Sequence, residues 1–324
     1  MTTSMPGNLA DALFGYDDDS FRPTPNMPPP GARRPRQPFP ATPRRSPTAL
    51  KAVGQRKRPN GELYKPRQVD NHEDLALLEA ARKNGEHVVL VGPPGTGKTA
   101  VIEAAFAPPH GPGFETIIGT ADTTEMDLVG TFIQDPSTSA FVWVPGPLQR
   151  SVERGVPLLV DEIALIDSRV LSVLYALMDG RGVLHIPANP KLAPIPVATG
   201  WMVAAAYNPD VPGANVSDAL TDRFTHHIEV GTDWNLAIEL GVPADIVKIA
   251  KNLDQRRIKG EISSSPQLRA LLAFRDLSAR YGERYAAANL AARAPRHDRD
   301  TIVEALQTRF HDIAAARLGG RYGG

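Results

Sequence analysis

The sequence predicts an α/β fold in which a parallel sheet lies between helices, followed by a small all-helical domain. An apolar run at residues 88–91 leads into a glycine-rich segment and then into a helical pattern at residues 100–106. A second apolar run, at residues 156–160, ends in two carboxylates, which is typical of a buried parallel strand whose carboxyl end opens into a ligand crevice. From residue 232 onward the apolar residues recur at helical spacing instead. The clearest helical segments there are residues 244–253, 265–281 and 301–318.

Composition excludes several classes of protein. The 324 residues include no cysteine, which excludes disulfides, thiolate catalysis and cysteine-based zinc sites. No run approaches the roughly 18 apolar residues of a membrane span, and the N-terminus lacks the basic start and apolar core of a signal peptide. These features predict a cytoplasmic protein that does not enter a membrane.

Proline and positive charge are concentrated near the N-terminus. Eleven of the 31 prolines fall in the first 50 positions, and residues 1–68 hold 12 Lys or Arg against 5 Asp or Glu. A segment of this kind buries too little apolar surface to order itself. Its basic part, residues 33–58, is able to contact nucleic acid, although it has a single aromatic residue, Phe39, and this scarcity of aromatic residues for base stacking favours a solvated linker. The predicted division is a disordered Pro/Arg-rich tail at 1–57, a nucleotide-binding α/β domain at 58–231, a helical domain at 232–318 and a frayed C-terminus at 319–324.

The glycine-rich segment after the first apolar run has the pattern of a phosphate-binding loop. The predicted ligand-binding residues are Gly92, Pro93, Pro94, Gly95, Thr96, Gly97, Lys98, Thr99 and Ala100. The glycines let backbone N–H groups turn toward phosphate oxygens, and the following helix N-terminus adds partial positive charge. Lys98 is placed to reach the β- and γ-phosphates of ATP, and the Thr99 hydroxyl to bind Mg²⁺. A dinucleotide-binding interpretation is weaker because the third glycine of that fingerprint is missing.

The two carboxylates that end the second apolar run, Asp161 and Glu162, are the residue types that hydrolysis of a phosphoanhydride needs. Asp161 would hold the hydrated Mg²⁺ together with Thr99, and Glu162 would polarise the attacking water. The alternative is that the pair only caps the helix that follows. The phosphate-binding loop upstream favours the catalytic interpretation.

Two further polar residues are catalytic candidates. Asn208 follows a third apolar strand, where its amide can hydrogen-bond the attacking water and a γ-phosphate oxygen; asparagine before proline is also a common start of a turn. Arg223 ends a short helical segment and is a candidate to neutralise charge that develops on the γ-phosphate. The alternative for Arg223 is a surface ion pair with Asp222 or Asp218.

With these motifs in place, the sequence resembles AAA+ ATPases, and more closely their MoxR-like, dynein-related branch. The resemblance covers about residues 60–275. It is carried by residues 92–99, 127–130, 143–148, 158–163 and 220–224. It implies a P-loop NTPase αβα sandwich with a five-stranded parallel sheet, a helical lid, and assembly into a homo-oligomeric ring, usually a hexamer.

The resemblance also implies roles for individual residues. Asn208 matches the residue called sensor 1, and Arg223 matches an arginine that acts in the neighbouring subunit's site. Family members carry a nucleotide-contacting lid arginine directly after a Ser-Pro or Ser-Thr pair, but here Gln267 follows Ser265-Pro266. Either Arg269 binds the nucleotide from a shifted register, which we favour, or Gln267 takes that position. Two hairpins are also implied, an insert around residues 132–144 and a second around residues 182–197.

The leading hypothesis is a Mg²⁺-dependent ATP hydrolase whose ring remodels or matures a protein client through these two hairpins. The resemblance suggests a von Willebrand A-domain protein as one class of partner. The alternative is a nucleic-acid-associated motor or loader that uses the basic tail. A scaffold that hydrolyses little ATP is disfavoured by the intact set of Lys98, Glu162 and Arg223, and a nucleoside kinase by the helical lid and the placement of Asn208.

Overall fold

The computed structural model describes residues 50–318. The predicted tail is outside this range up to residue 49, as is the predicted frayed terminus at 319–324. The strands are β1 (Arg56–Lys57), β2 (Leu63–Tyr64), β3 (Gln68–Val69), β4 (His72–Glu73), β5 (Val88–Val91), β6 (Glu115–Ile118), β7 (Gly130–Gln134), β8 (Phe141–Pro145), β9 (Leu158–Asp161), β10 (Val183–Leu184), β11 (Ile195–Pro196), β12 (Val203–Tyr207) and β13 (His226–Glu229). The helices are α1 (Asp74–Asn84), α2 (Lys98–Phe106), α3 (Glu125–Val129), α4 (Pro147–Arg154), α5 (Ser168–Met178), α6 (Asp218–Thr221), α7 (Trp234–Glu239), α8 (Ala244–Ile258), α9 (Leu268–Tyr281), α10 (Glu283–Ala292) and α11 (Arg299–Gln307).

The central sheet has five strands in the order β13-β5-β12-β9-β6, and every neighbouring pair is parallel. Its middle strands are buried on both faces, as their continuous apolar sequences predict. Val88 and Leu90 of β5 pack with α1 and α2, whereas Val89 points into a second core formed with α4 and α5. The predicted αβα sandwich with a five-stranded parallel sheet is confirmed. The carboxyl ends of β5, β9 and β12 therefore meet at one edge of the sheet.

The five helices α7 to α11 enclose a third core of their own. Its largest buried side chain is Phe274, and small residues such as Ala250 and Ala287 let the helices pack closely. Helix α10 was not predicted, because the apolar pattern before it was assigned to one helix ending at Tyr281. Glycine at 282, with φ of 86°, separates α9 from α10. The last predicted helix was too long: α11 ends at Gln307.

The insert hairpin is present as predicted. Strands β7 and β8 pair antiparallel with Phe132 opposite Trp143, and the two rings meet edge to face at 5.1 Å between centroids. Phe132, Ile133, Phe141 and Val142 are exposed, and Phe141 keeps 70% of its surface. The hairpin thus presents exposed apolar side chains that the rest of residues 50–318 does not cover.

The second hairpin is shorter than predicted. Strands β10 and β11 pair over two residues each, whereas the sequence suggested strands at 183–186 and 195–197. The connecting segment contains Pro187, Pro190 and Pro194, which have no N–H to donate to a ladder.

The ordered domain starts before the predicted boundary at residue 58. Arg56 and Lys57 form β1, which pairs with β2. Arg56 forms an ion pair with Glu79. Arg58 is held by Glu103, with 2.7 Å between Nη2 and Oε2. These two arginines of the basic segment 33–58 are therefore neutralised within the domain, while residues 33–49 lie outside the described range.

No helix among residues 50–318 combines the length and apolar character that crossing a membrane would need.

Candidate functional site

The phosphate-binding loop connects β5 to α2 and is built on close backbone contacts. Gly92 donates its N–H to the Tyr207 carbonyl, and a Cβ at this position would lie 2.3 Å from the Val230 oxygen. Glycine is therefore required where the loop leaves the sheet. Gly97 precedes α2 in the left-handed conformation, with φ of 93°. The loop thus leads directly into the N-terminus of α2, as the motif predicts.

Lys98, in the first turn of α2, is a buried cation. Its ammonium donates to the carbonyl oxygens of Gly92 at 2.7 Å and Pro93 at 3.0 Å. Burial lowers the pKa of Lys98; the nearby Glu162 and Asp161 partly offset this effect, and Arg269 adds to it. No carboxylate of the described residues lies within ion-pair distance of the ammonium. An anion in contact with Lys98 would supply the missing countercharge.

Asp161 and Glu162 lie at the carboxyl end of β9. The Thr99 hydroxyl donates to Asp161 Oδ2 at 3.0 Å, so a hydroxyl and a carboxylate oxygen lie side by side. Two adjacent oxygen donors fit Mg²⁺, which binds few protein ligands and keeps several of its waters. Among residues 50–318, no cluster of three or more His, Cys, Asp or Glu side chains forms a larger metal site.

Glu162 adopts an unusual backbone conformation. Its φ is 52°, in the left-handed region that residues other than glycine rarely occupy. Its N–H donates to Asp161 Oδ1 at 3.1 Å. Strained residues of this kind concentrate at functional sites, where the surrounding structure holds them in place.

A cavity of about 590 Å³ lies over these residues. Lys98, Thr99, Asp161 and Glu162 line its sheet side. Other side chains around it include Arg269, Leu272 and Asp276 from α9, and Arg58, Asn60 and Glu62 from the turn between β1 and β2. The last three could not be predicted from sequence, because a turn about 40 residues upstream reaches the site only through the tertiary fold.

Arg269 and Gln267 face different surroundings. Arg269 lines the cavity with Lys98, and its N–H donates to the Gly95 carbonyl at 3.1 Å. Gln267 is buried, and its amide nitrogen donates to Asp254 at 3.0 Å. Its amide oxygen accepts from the Thr232 hydroxyl at 2.6 Å. The amide of Gln267 is thus occupied inside the helical part of the chain, whereas Arg269 contacts the phosphate-binding loop through its backbone N–H and its charge acts on Lys98.

Asn208 follows β12, as predicted, and is buried. Its side-chain oxygen accepts from the N–H of Asp210 at 3.2 Å, and Asp210 pairs with Arg257 of α8. Asn208 lines a neighbouring cavity of about 610 Å³ that shares Gly95 and Arg269 with the first one. The structure therefore places Asn208 beside the phosphate-binding loop but outside the cavity that contains Glu162.

Arg223 lies elsewhere. It does not line the cavity that holds Lys98, and its ion-pair partner is Asp179 at the end of α5 rather than the expected Asp222 or Asp218. The guanidinium also covers the Tyr175 ring, 4.6 Å from its centroid. Within one chain, Arg223 lines none of the three cavities around the phosphate-binding loop.

An apolar cavity of about 480 Å³ adjoins the site and was missed by the motif search. Its apolar walls are Val69, Leu78, Leu90, Val101, Ile228 and Val230. Arg67 lies at its edge and donates to the carbonyl of Thr96 in the phosphate-binding loop at 2.9 Å. These walls come from five separate segments, so no local pattern in the sequence could have identified them.

Comparison with known proteins finds one family that matches the segment containing Lys98, Asp161, Glu162, Asn208 and Arg223. The family model described as an AAA domain of the dynein-related subfamily matches residues 87–224. Protein NorQ of Paracoccus denitrificans (strain Pd 1222) is 29% identical over 219 residues, which cover 65% of this chain and 75% of NorQ. Midasin of Giardia intestinalis is 36% identical over 100 residues, which cover 31% of this chain but only 2% of midasin. A solved structure from Cytophaga hutchinsonii ATCC 33406 overlays 70% of this chain and 78% of its own at 19% identity, with a TM-score of 0.40, which is too low for a functional inference.

Proposed function

Because the chain belongs to the AAA+ ATPases, in their MoxR-like, dynein-related branch, we propose that it is a Mg²⁺-dependent ATP hydrolase whose ring remodels a protein client. The observation that carries this proposal is the joint placement of Lys98, the Thr99–Asp161 pair and Glu162 around one cavity. A buried cation, two adjacent oxygen ligands and a further carboxylate are the groups that phosphoryl transfer to water requires.

Substrate binding is divided between two cavities. Lys98 exchanges its carbonyl partners for the β- and γ-phosphates, and the loop N–H groups at the start of α2 contact the same phosphates. The apolar cavity beside Arg67 has the size and the walls for a nucleotide base. Thr99 and Asp161 would hold Mg²⁺, which when bound neutralises charge on the phosphate oxygens.

For hydrolysis, Glu162 is the residue that orients and polarises the attacking water. Its strained backbone fixes the carboxylate at the end of β9, next to the residue that would hold the metal. Asn208 and Arg269 approach the phosphate-binding loop from the neighbouring cavity and from α9. We assign them to the terminal phosphate, with Asn208 hydrogen-bonding it and Arg269 contributing charge.

Arg223 completes the site from another subunit. Its position away from its own chain's cavity supports a role in a neighbouring copy, so that hydrolysis depends on ring assembly. An arginine supplied to the transition state of phosphoryl transfer accelerates it roughly 10³- to 10⁵-fold. A hexamer is the assembly that we propose.

The exposed insert hairpin supports a protein client. Phe132, Ile133, Phe141 and Val142 offer an apolar contact surface, and residues 130–145 contain one charged side chain, Asp135. Exposed apolar patches mark surfaces that bind proteins. A von Willebrand A-domain protein is our candidate class of client.

Replacing Glu162 with glutamine tests the proposed reaction. Glu162→Gln keeps the shape of the side chain but removes the base, so turnover should fall at least roughly a hundredfold while ATP affinity is retained. ATP binding is measured by competition with a fluorescent analogue, and turnover by phosphate release. The matched control is Glu304→Gln on α11, an exposed glutamate outside all three cavities. Unchanged turnover of Glu162→Gln would remove this residue from the mechanism.

A further inference from the structure

The guanidinium of Arg223 is held in a defined orientation. Its Nη2 donates to Asp179 Oδ2 at 2.8 Å, and its Nε lies 2.8 Å from Asp179 Oδ1. Its Nη1 donates to the carbonyl of Ala219, and Tyr175 supports the face of the group. Each terminal nitrogen of arginine carries two N–H groups, so within residues 50–318 one on Nη1 and one on Nη2 stay unused. These N–H groups can donate to phosphate oxygens.

The position of Asp179 at the end of α5 does not by itself favour a carboxylate. Asp179 is the C-terminal capping residue of α5, where the helix dipole is negative and a carboxylate is unfavourable. The hydrogen bond from Arg223 is the main reason that the pKa of Asp179 is nevertheless lowered, with the charges of Arg223 and Arg181 contributing. Among the described residues, Arg223 is the ion-pair partner of Asp179. The contact with Arg223 is thus what favours aspartate at this position.

We propose that Asp179 is a positioning residue for Arg223, which fixes the guanidinium so that its two unused N–H groups meet the terminal phosphate bound by the neighbouring subunit. This inference rests on the proposed role of Arg223 in that neighbouring site. Without the carboxylate, the arginine keeps its charge but samples other rotamers, and its contact with the transition state is made less often. Asp179 therefore acts on kcat of the neighbouring site, with KM for ATP unaffected.

Mixed rings separate this role from a structural one. Subunits with Glu162→Gln cannot hydrolyse ATP but still supply Arg223, and subunits with Arg223→Ala keep an intact cavity but supply no arginine. Each should be inactive alone, and an equimolar mixture should recover turnover. Asp179→Asn is then added to one type of subunit at a time. The control is Asp218→Asn, an exposed aspartate on the adjacent helix α6 that forms no ion pair within the described residues.

In the Glu162→Gln subunits, which supply the arginine, Asp179→Asn should lower the recovered kcat roughly ten- to a hundredfold, the scale of a misplaced catalytic group. In the Arg223→Ala subunits the same substitution should change nothing. An equal loss of kcat in both types of subunit would show a structural role for Asp179. No loss, or a faster rate, would show that Asp179 does not position the arginine. Either result overturns this inference but leaves the proposed role of Arg223 intact. Failure of the unmodified mixture to recover turnover would instead refute the shared site, and the inference with it.

Discussion

Alanine substitutions at Arg269 and Gln267 should affect different properties. Arg269→Ala should weaken nucleotide binding, whereas Gln267→Ala should lower stability. Arg269 lines the same cavity as Lys98. Alanine at position 269 would keep the backbone hydrogen bond to the Gly95 carbonyl. Gln267 is buried among Thr232, Asp254 and Ser265. The two substitutions therefore remove a ligand contact in one case and an internal polar network in the other.

The structure sets the size of each effect. Gln267→Ala removes three side-chain hydrogen bonds, of 2.6 Å to Thr232, 3.0 Å to Asp254 and 2.7 Å to Ser265. At about 1 kcal/mol each, the free energy of unfolding should fall by about 3 kcal/mol. The melting temperature of a chain this size should then fall by roughly 4–6 °C. Arg269→Ala should leave the melting temperature almost unchanged but lose a charge-assisted bond to phosphate of about 1.5–3 kcal/mol, which corresponds to roughly a ten- to a hundredfold weaker affinity for ATP.

Thermal unfolding without nucleotide and titration with a fluorescent ATP analogue measure the two effects separately. Arg280→Ala, at the exposed far end of α9, is the matched control for loss of a positive charge. The reverse pattern, with Gln267→Ala weakening ATP binding at an unchanged melting temperature, would refute the assignment of Arg269.

Two further substitutions test the loop itself. Lys98→Met removes a buried cation, so the melting temperature without nucleotide should be maintained or raised. The stabilisation of about 2.7 kcal/mol that ATP gives at a hundred times its Kd should disappear in this variant. Stabilisation by ATP as in the unmodified protein would contradict the role of Lys98. Gly92→Ala places a Cβ 2.3 Å from the Val230 oxygen and should cost about 1–3 kcal/mol of unfolding free energy, measured by denaturant titration. Gly231→Ala, where a Cβ meets open space, is its control, and equal stability of the two variants would show that the loop adapts freely.

The parts of the site that could be predicted from sequence are those whose chemistry and position are local. The strand, loop and helix around Lys98 are consecutive, and Asp161 and Glu162 end an apolar strand. A parallel sheet then brings these segments to one edge, and for that reason the Thr99–Asp161 contact agrees with the predicted metal pair.

The parts that could not be predicted depend on contacts distant in sequence. Asp179 and Arg223 are 44 positions apart and meet only because the tertiary fold brings the segment after α6 to the C-terminal end of α5. Asn60 and Glu62 reach the cavity that Lys98 and Glu162 line from the turn between β1 and β2. Helix α10 was missed for a different reason, since a single glycine at 282 divides two helices whose sequences are both good helix formers.

The cores of the sheet and of the helical part are separate, and we infer that this separation would let ATP binding change the angle between them. No side chain belongs to both sets of buried residues, so each part can stay packed while the angle between them changes. Polar contacts between them include Arg269 to Gly95, Thr232 to Gln267, Arg257 to Asp210 and Lys65 to Glu239. Arg269 and Gly95 line both cavities that meet at the phosphate-binding loop, and Arg257 and Asp210 line the second of these cavities. We therefore expect a phosphate that engages Lys98 on one side and Arg269 on the other to add a strong contact between the two parts, and its removal by the proposed hydrolysis to weaken their contact.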